Sequence, residues 1–107
     1  MMTTLEKVKR LEKYLAIDSS AIDPVLQMAI DKLLAREIER MCKLKNRLAI
    51  QLAKFEECYT MKSADFYARY ENGEMGDTTD FIEWSATVEM LANAKKQMAL
   101  LETESGQ

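Results

Sequence analysis

The chain of 107 residues has no histidine. A Ser/His or Cys/His nucleophile pair therefore cannot form, because both pairs need an imidazole as the base. The sequence also lacks a glycine-rich phosphate-binding loop and a pair of cysteines at metal-ligand spacing. A carboxylate pair or a lysine could still act in catalysis, but no spacing in the sequence selects one. We therefore predict a protein that is not an enzyme, with no catalytic residue, no cofactor and no metal.

Cysteine and long apolar runs are scarce as well. Cys42 and Cys58 lie 16 residues apart on one predicted helix and face different directions, so they cannot pair within the chain. Free thiols fit a reducing cytoplasm. The apolar runs are only a few residues long, which excludes a membrane span. No charged region followed by an apolar stretch lies at the start, so we expect no secretory signal. We expect a cytoplasmic protein with a single helical domain over residues 1–107.

The single proline and the capping residues mark where the first two helices begin. Thr3 and Glu6 form a capping-box pattern, which predicts an N-terminal helix over about residues 4–17. Asp23-Pro24 predicts the start of a second helix, because Asp can cap the free N–H groups and Pro needs no hydrogen bond at the first helical position. A long stretch without Gly or Pro then lets this helix extend over about residues 24–58.

Two further capping signals complete the predicted fold. Ser63 is expected to cap a short helix over about residues 64–71, and Asp80 to cap a last helix over about residues 80–101. Turn residues, including two of the three glycines, separate these two helices. We therefore predict an all-α fold, in which the long and the last helix form an antiparallel hairpin joined by a short elbow helix.

Each helix of the predicted hairpin carries an apolar seam. On the long helix the seam advances in steps of four and three residues, as in a coiled coil. Its positions are Leu34, Ile38, Met41, Lys45, Leu48, Leu52, Phe55 and Tyr59. The seam of the last helix consists of Phe81, Trp84, Val88, Leu91, Lys95, Met98 and Leu101. Because Trp84 heads this second seam, we expect it to be buried against Phe55, Tyr59 or Phe66.

The long helix outruns the last helix by about ten residues. Apolar positions near its N-terminal end therefore need the first helix or a second chain to cover them, because exposed apolar seams promote aggregation. We predict a homodimer formed through the long helix. The positions concerned are Leu26, Ile30, Leu34, Ile38 and Met41.

Seven of the eight aromatic residues lie between residues 55 and 84, together with a run of acidic residues. Concentrated aromatics mark either a core or a docking surface. The acidic residues recur at every third position from Glu71 to Glu83, a spacing that helical nucleotide pyrophosphohydrolases use to hold Mg²⁺. Here Gly73 and Gly76 break the helix, so the carboxylates cannot share one face. A metal-dependent nucleotide hydrolase is therefore the third of three functional hypotheses.

The same segment is the predicted docking surface of the leading hypothesis. No Lys or Arg lies between Arg69 and Lys95, whereas acidic residues are frequent there. A surface of this charge fits a basic protein partner. The predicted partner-binding residues are Tyr67, Tyr70, Glu71, Glu74, Asp77 and Asp80.

A cationic stripe runs along the predicted long helix, opposite its apolar seam. Such a stripe could follow the phosphates of a nucleic acid, which is the second functional hypothesis. The solvated face of an amphipathic helix is the more frequent cause of this pattern. No aromatic residue lies among the cations to stack on single-stranded bases. The predicted nucleic-acid contacts are Arg36, Arg40, Lys43 and Arg47.

The segment FEECYTMKSADFYARYENGEMGDTTDFIEW carries a resemblance to a known group of proteins. The matching positions are Phe55, Glu56, Tyr59, Met61, Ser63, Phe66, Tyr67, Arg69, Tyr70, Gly73, Glu74, Gly76, Asp77, Asp80, Phe81, Glu83 and Trp84. They resemble small, generally uncharacterised, all-helical prokaryotic proteins, some of which are associated with toxin–antitoxin gene pairs. In that pattern a glycine often follows the tyrosine, whereas Thr60 stands here. The resemblance implies an antitoxin-like interaction module without catalytic residues.

Overall fold

The computed structural model describes residues 1–17 and 22–102, and these residues form four α-helices and no strand. Helix α1 spans Thr4–Ile17, α2 Pro24–Tyr59, α3 Ser63–Glu71 and α4 Thr79–Glu102. The predicted all-α fold is confirmed. None of the described helices is long and apolar enough to cross a membrane.

The chain divides into two compact units, residues 1–34 and residues 35–107, with the boundary inside α2. The expectation of a single domain over residues 1–107 stays a prediction.

The first two helices begin as their capping residues predict. In the capping box before α1, the Glu6 N–H donates to Thr3 Oγ1 at 3.1 Å and the Thr3 N–H donates to Glu6 Oε1 at 3.4 Å. Before α2, the Val25 N–H donates to Asp23 Oδ1 at 3.0 Å. These side chains satisfy N–H groups that have no partner inside the helix, which fixes where each helix starts.

The predicted caps of the other two helices are wrong. Helix α3 begins at Ser63 itself, and the preceding residue, Lys62, forms no capping hydrogen bond through its side chain. Helix α4 is capped by Thr78, whose Oγ1 accepts the Phe81 N–H at 3.4 Å. The side chains of Ser63 and Asp80 instead bond to residues about twenty positions away, Trp84 and Tyr59. These two side chains therefore bind residues of other helices and do not cap their own.

Helix α2 ends through a left-handed residue that is not glycine. Thr60 has φ +49°, and the Met61 N–H donates to the Glu56 carbonyl oxygen at 3.2 Å. This six-to-one hydrogen bond belongs to the Schellman termination, in which glycine usually takes the left-handed position. Helix α2 therefore ends in the way that is usual for glycine, although the left-handed residue is the β-branched Thr60.

The N-terminal unit, residues 1–34, has no buried residue in its described part. On α1 the side chains of Leu5, Val8 and Leu11 are exposed, and Leu15 is half-buried. On the first turns of α2, Leu26 and Ile30 are half-buried. The described part of this unit therefore has helices but no buried hydrophobic core.

The C-terminal unit, residues 35–107, contains an antiparallel hairpin of α2 and α4. Phe55 stacks on Trp84 with ring centroids 5.4 Å apart, and Tyr59 packs against Phe81 at 5.2 Å. Later positions on α2 thus meet earlier positions on α4, as an antiparallel pair requires. A second cluster toward the other end of the hairpin has buried Met41, Leu48 and Ala94 at its centre, and Leu44, Leu91, Met98 and Leu101 pack against it.

One expected dimer position and one expected seam position differ from the prediction. Met41 is buried in the core of the hairpin, so it is not available as part of a dimer surface on the long helix. On α4 the buried position between Leu91 and Met98 is Ala94, whereas the predicted Lys95 is exposed. A step of three from Leu91 brings the small methyl group of Ala94 to α2, and the charged Lys95 stays in water.

Candidate functional site

Six of the aromatic side chains form one cluster centred on Trp84. Trp84 and Phe66 are fully buried and lie nearly parallel, with ring centroids 3.9 Å apart and an interplanar angle of 2°. Tyr70 packs on Phe66 at 5.5 Å. The expectation that Trp84 is buried is confirmed, and all three proposed neighbours contact it. The aromatic cluster comprises Phe55, Tyr59, Phe66, Tyr70, Phe81 and Trp84.

A short chain of hydrogen bonds ties the aromatic cluster to the ends of α2 and α3. The Trp84 indole Nε1–H donates to Ser63 Oγ at 2.9 Å, and the Ser63 backbone N–H donates to Glu56 Oε2 at 2.8 Å. A buried indole needs such an acceptor, because an unpaired buried donor is costly. Ser63 therefore joins all three helices of this region. The centre of the aromatic cluster, Trp84 and Phe66, is a buried core, and Tyr59 lies at its exposed edge.

Carboxylates surround this core on the surface of the C-terminal unit. We call the set the acidic rim; its members lie at the end of α3, in the following turn and on α4, and all are exposed. They are Glu71, Glu74, Asp77, Asp80 and Glu89. Glu83 is not among them, because it lines a groove on the α2–α4 hairpin together with Gln51 and Lys54. The acidic run of the sequence is thus divided between different faces, as the two glycines predict.

The turn that carries the acidic rim depends on those glycines. Gly73 has φ +76° and Gly76 has φ +78°, both in the left-handed region. At the end of α3 the Glu74 N–H donates to the Arg69 carbonyl oxygen at 2.9 Å, and the Gly73 N–H to that of Tyr70 at 3.0 Å. This is again the Schellman arrangement, here with glycine at the left-handed position. It projects Glu74 and the residues after it away from the helix.

Two tyrosine hydroxyls connect the acidic rim to the core beneath it. The Tyr59 hydroxyl donates to Asp80 Oδ2 at 2.5 Å. That hydrogen bond, with desolvation and the carboxylate charge, raises the pKa of Tyr59 to about 12. Asp80 is consequently held by the core, although its side chain remains accessible.

The second hydroxyl lies between two acidic side chains. The Tyr67 hydroxyl donates to Glu89 Oε1 at 3.2 Å. The pKa of Tyr67 is raised to about 12, first by Glu71 one turn further along α3, then by desolvation and by Glu89. Glu71 and Glu89 therefore both lie where they can accept the Tyr67 hydroxyl proton, and the hydroxyl points to Glu89 in this structure. Ionising Tyr67 would add a third negative charge to this side of the acidic rim.

The acidic rim has no cationic partner within the described residues. The two ion pairs found in that part of the chain both lie on α2 and both are exposed: Arg40 with Glu37 at 3.1 Å and Lys43 with Glu39 at 3.3 Å. Among residues 1–17 and 22–102, no group of three or more acidic or cysteine side chains is arranged to hold a metal ion. The carboxylates of the acidic rim are therefore spread around the core rather than converging on a point.

The cationic stripe lies on the exposed face of α2, as its spacing predicts. Arg40, Lys43 and Arg47 line an open groove with Met41 and Leu44. Arg40 and Lys43 each already have a carboxylate neighbour on the same helix. Arg36, the fourth predicted nucleic-acid contact, is exposed on the same helix.

The structure brings together only part of the predicted docking set. Glu71, Glu74 and Asp77 are exposed, whereas Tyr67 and Tyr70 are half-buried against the core. The sequence prediction did not include Glu89, which lies 22 residues from Tyr67. Only the register of α3 against α4 brings these two residues together, and no local pattern carries that information.

Comparison with protein-family models, with curated proteins and with solved structures finds no match to this chain. Its function is therefore inferred from the geometry described above.

Proposed function

We propose that this chain is a non-enzymatic, homodimeric interaction module of the cytoplasm that docks a basic protein on its acidic rim, as the neutralising member of a toxin–antitoxin pair would. The observation that carries the proposal is the unpaired charge of the acidic rim. A surface that carries several carboxylates and no cation has a negative potential, which attracts a cationic surface.

The surroundings of the acidic rim support this proposal. Asp80 and Glu89 accept hydrogen bonds from tyrosines, and behind them lies the aromatic cluster with fully buried Trp84 and Phe66. Carboxylates placed on an ordered surface lose little side-chain freedom when a partner binds. The pKa of Tyr67 is raised first by a hydrogen bond with Glu71 and then by desolvation, and the negative charges of Glu71 and Glu89 raise it further.

The nucleic-acid hypothesis has weaker support. Two of the four predicted contacts, Arg40 and Lys43, have carboxylates of α2 beside them. Those carboxylates reduce the positive potential that phosphates would meet. Arg40, Lys43 and Arg47 nevertheless line one groove, so nucleic-acid binding is the alternative to test against the docking proposal.

The experiment compares two charge-neutralising variants that remove the same number of negative charges. The rim variant carries Glu71→Gln, Glu74→Gln and Asp77→Asn. The matched control carries Glu12→Gln, Asp31→Asn and Glu57→Gln, which are also exposed but lie outside the acidic rim. The binding partner is the protein that co-purifies with the tagged chain from its native cells.

We expect the rim variant to associate with this partner about tenfold more slowly and with a flatter salt dependence, because exposed charges act mainly on encounter rates. The control variant should behave like the unmodified protein. Equal effects of the two variants would contradict the proposal. A complex that is instead lost on neutralising Arg36, Arg40, Lys43 and Arg47, and that contains nucleic acid, would establish the second hypothesis.

A further inference from the structure

The connection between α2 and α3 is short and strained. It consists of Thr60, Met61 and Lys62, and Thr60 has φ +49° in the left-handed region. A β-branched residue is rare there, because its Cβ atom comes too close to the neighbouring carbonyl oxygen. Lys62 follows with extended backbone, φ −74° and ψ 145°, and its side chain makes no capping hydrogen bond. Turning the chain at this point therefore costs free energy.

The local sequence does not require this turn. Residues 25–72 contain neither glycine nor proline, and Met61 and Lys62 are good helix formers by type. The apolar seam of α2 also keeps its register across the connection, since Phe66 lies seven residues after Tyr59. The sequence is therefore compatible with one unbroken helix over residues 24–71, roughly 70 Å long.

Contacts with other parts of the chain hold the turn closed. The Ser63 backbone N–H donates to Glu56 Oε2 at 2.8 Å, a partner that it would not need inside a continuous helix. Phe55 and Tyr59 of α2 stack on Trp84 of α4, with ring centroids 5.4 and 5.7 Å apart. The turn thus depends on the packing of α3 and α4 against α2.

Helices α3 and α4 are also joined directly to each other. Phe66 stacks on Trp84 with ring centroids 3.9 Å apart, and the Tyr67 hydroxyl donates to Glu89 Oε1 at 3.2 Å. Both contacts lie within residues 63–102, which we call the exchange module. These contacts keep the exchange module together when it separates from α2.

We infer that the connection is a hinge through which two copies of the chain exchange this module. When the hinge straightens, α2 and α3 become one helix, and the exchange module of each copy packs on α2 of the other. The contacts between α2 and the exchange module then form again between copies, including Phe55 with Trp84 and Tyr59 with Asp80. Met41 stays buried, now against α4 of the second copy. The inference rests on the homodimer of the proposed function and states how that dimer forms.

The hinge decides the balance between the closed chain and the exchanged dimer. Both forms make the same contacts with α2, so they differ in the hinge and in their dependence on protein concentration. The dimer removes the left-handed conformation of Thr60, and short hinges under strain favour exchange for this reason. Each dimer carries two acidic rims, because Glu71, Glu74 and Asp77 belong to the exchange module.

The first test is the molar mass by light scattering after refolding at about 50 µM, where a micromolar or tighter dimer is populated. The unmodified protein should report twice the chain mass of 12.3 kDa. Lys62→Pro should report a single chain, because proline fits the φ of −74° in the closed turn but breaks a continuous helix. Thr60→Gly should shift the mass in the same direction, because glycine accepts the left-handed conformation and weakens a helix. Near-UV circular dichroism shows whether each variant keeps Trp84 packed.

Glu56→Ala should shift the balance toward the dimer. It removes the acceptor of the Ser63 N–H, which is needed only in the closed turn. The dissociation constant of the dimer should therefore fall about tenfold. The matched control is Glu57→Ala, the exposed neighbour on the same helix, which should leave the dissociation constant unchanged.

A fluorescence measurement separates exchange from pairing of two closed chains. Trp84 is the single tryptophan, and the exposed thiol of Cys58, next to Tyr59, can carry a nitroxide that quenches indole fluorescence at short range. A labelled chain with Trp84→Phe and Cys42→Ser is refolded together with the unmodified chain. Trp84 fluorescence should fall, because Trp84 of one copy then packs on the labelled α2 of the other. Mixing the two proteins already folded should quench far more slowly, since exchange requires the core to open.

Three results would overturn the inference. They are a single-chain mass for the unmodified protein, unquenched Trp84 in the mixed dimers, and a dimer that survives the hinge substitutions. If Lys62→Pro does not fold, the mass of Thr60→Gly decides the last point. The docking proposal fails separately: the rim variant should still exchange, and the single-chain Lys62→Pro protein should still bind the basic partner. Loss of one property alone therefore identifies which proposal is wrong.

Discussion

Replacing Thr60 by glycine should stabilise the protein, although the substitution removes three side-chain atoms. Thr60 has φ +49°, a left-handed conformation that is rare for a β-branched residue. Holding such a residue there costs about 1–2 kcal/mol in the folded state. Glycine removes this cost, but it gains about 0.5–1 kcal/mol of conformational freedom in the unfolded chain. The expected net gain is therefore about 0.5–1 kcal/mol.

Urea unfolding followed by circular dichroism measures this gain. The midpoint should rise while the slope stays the same, because the surface exposed on unfolding does not change. In thermal unfolding the gain should raise Tm by about 2–6 °C for a domain of this size. All variants have to be compared at one protein concentration, since dimerisation would make apparent stability concentration-dependent.

Thr60→Ala is the matched control. It removes the β-branch but leaves a Cβ atom that opposes the left-handed conformation, so it should gain clearly less than Thr60→Gly. If Thr60→Gly is no more stable than the unmodified protein, the strain assigned to this helix end is wrong. If alanine and glycine stabilise equally, the gain comes from losing the threonine side chain and not from the backbone conformation.

Two further predictions concern the aromatic cluster and the acidic rim. Trp84→Ala should lower the free energy of unfolding by about 3–5 kcal/mol, measured by urea unfolding, whereas the exposed control Ile50→Ala should change it by no more than about 0.5 kcal/mol. Because the pKa of Tyr67 is raised from 10.0 to about 12, its contribution to stability should be complete below pH 10 and lost as the pH rises toward 12. Glu71→Gln should lower the pKa of Tyr67 more than Glu89→Gln does. An NMR titration measures both pKa values, and Tyr67→Phe assigns the signal. Equal effects of the two substitutions would contradict Glu71 as the main cause of the raised pKa.

The helix boundaries could be predicted because the signals for them are local. The Thr3–Glu6 capping box and Asp23-Pro24 act within one turn of chain, and the structure uses both. Ser63 is a capping residue by type as well, but its hydroxyl accepts the Trp84 indole N–H from another helix. A buried indole without a partner would cost more than a missing cap, so the tertiary hydrogen bond prevails.

The candidate site was predictable in composition but not in arrangement. The absence of Lys and Arg between residues 69 and 95 identified the acidic segment. The two left-handed glycines and the register of α3 against α4 determine which carboxylates share a surface. The spacing of acidic residues in the sequence does not reveal either of them. The choice of Ala94 over Lys95 in the seam could have been made from residue type, because the smaller apolar side chain is the one that can be buried between helices.

Burial of the aromatic residues also constrains how a partner can bind. Strong interfaces usually depend on a few buried Trp, Tyr or Arg side chains near their centre. Here Trp84 and Phe66 are committed to the core, and Tyr67 and Tyr70 are half-buried. The acidic rim therefore offers charge but few aromatic anchors of its own. We expect the partner to supply the anchors, with arginine preferred over lysine, because guanidinium groups bind carboxylates through two parallel hydrogen bonds.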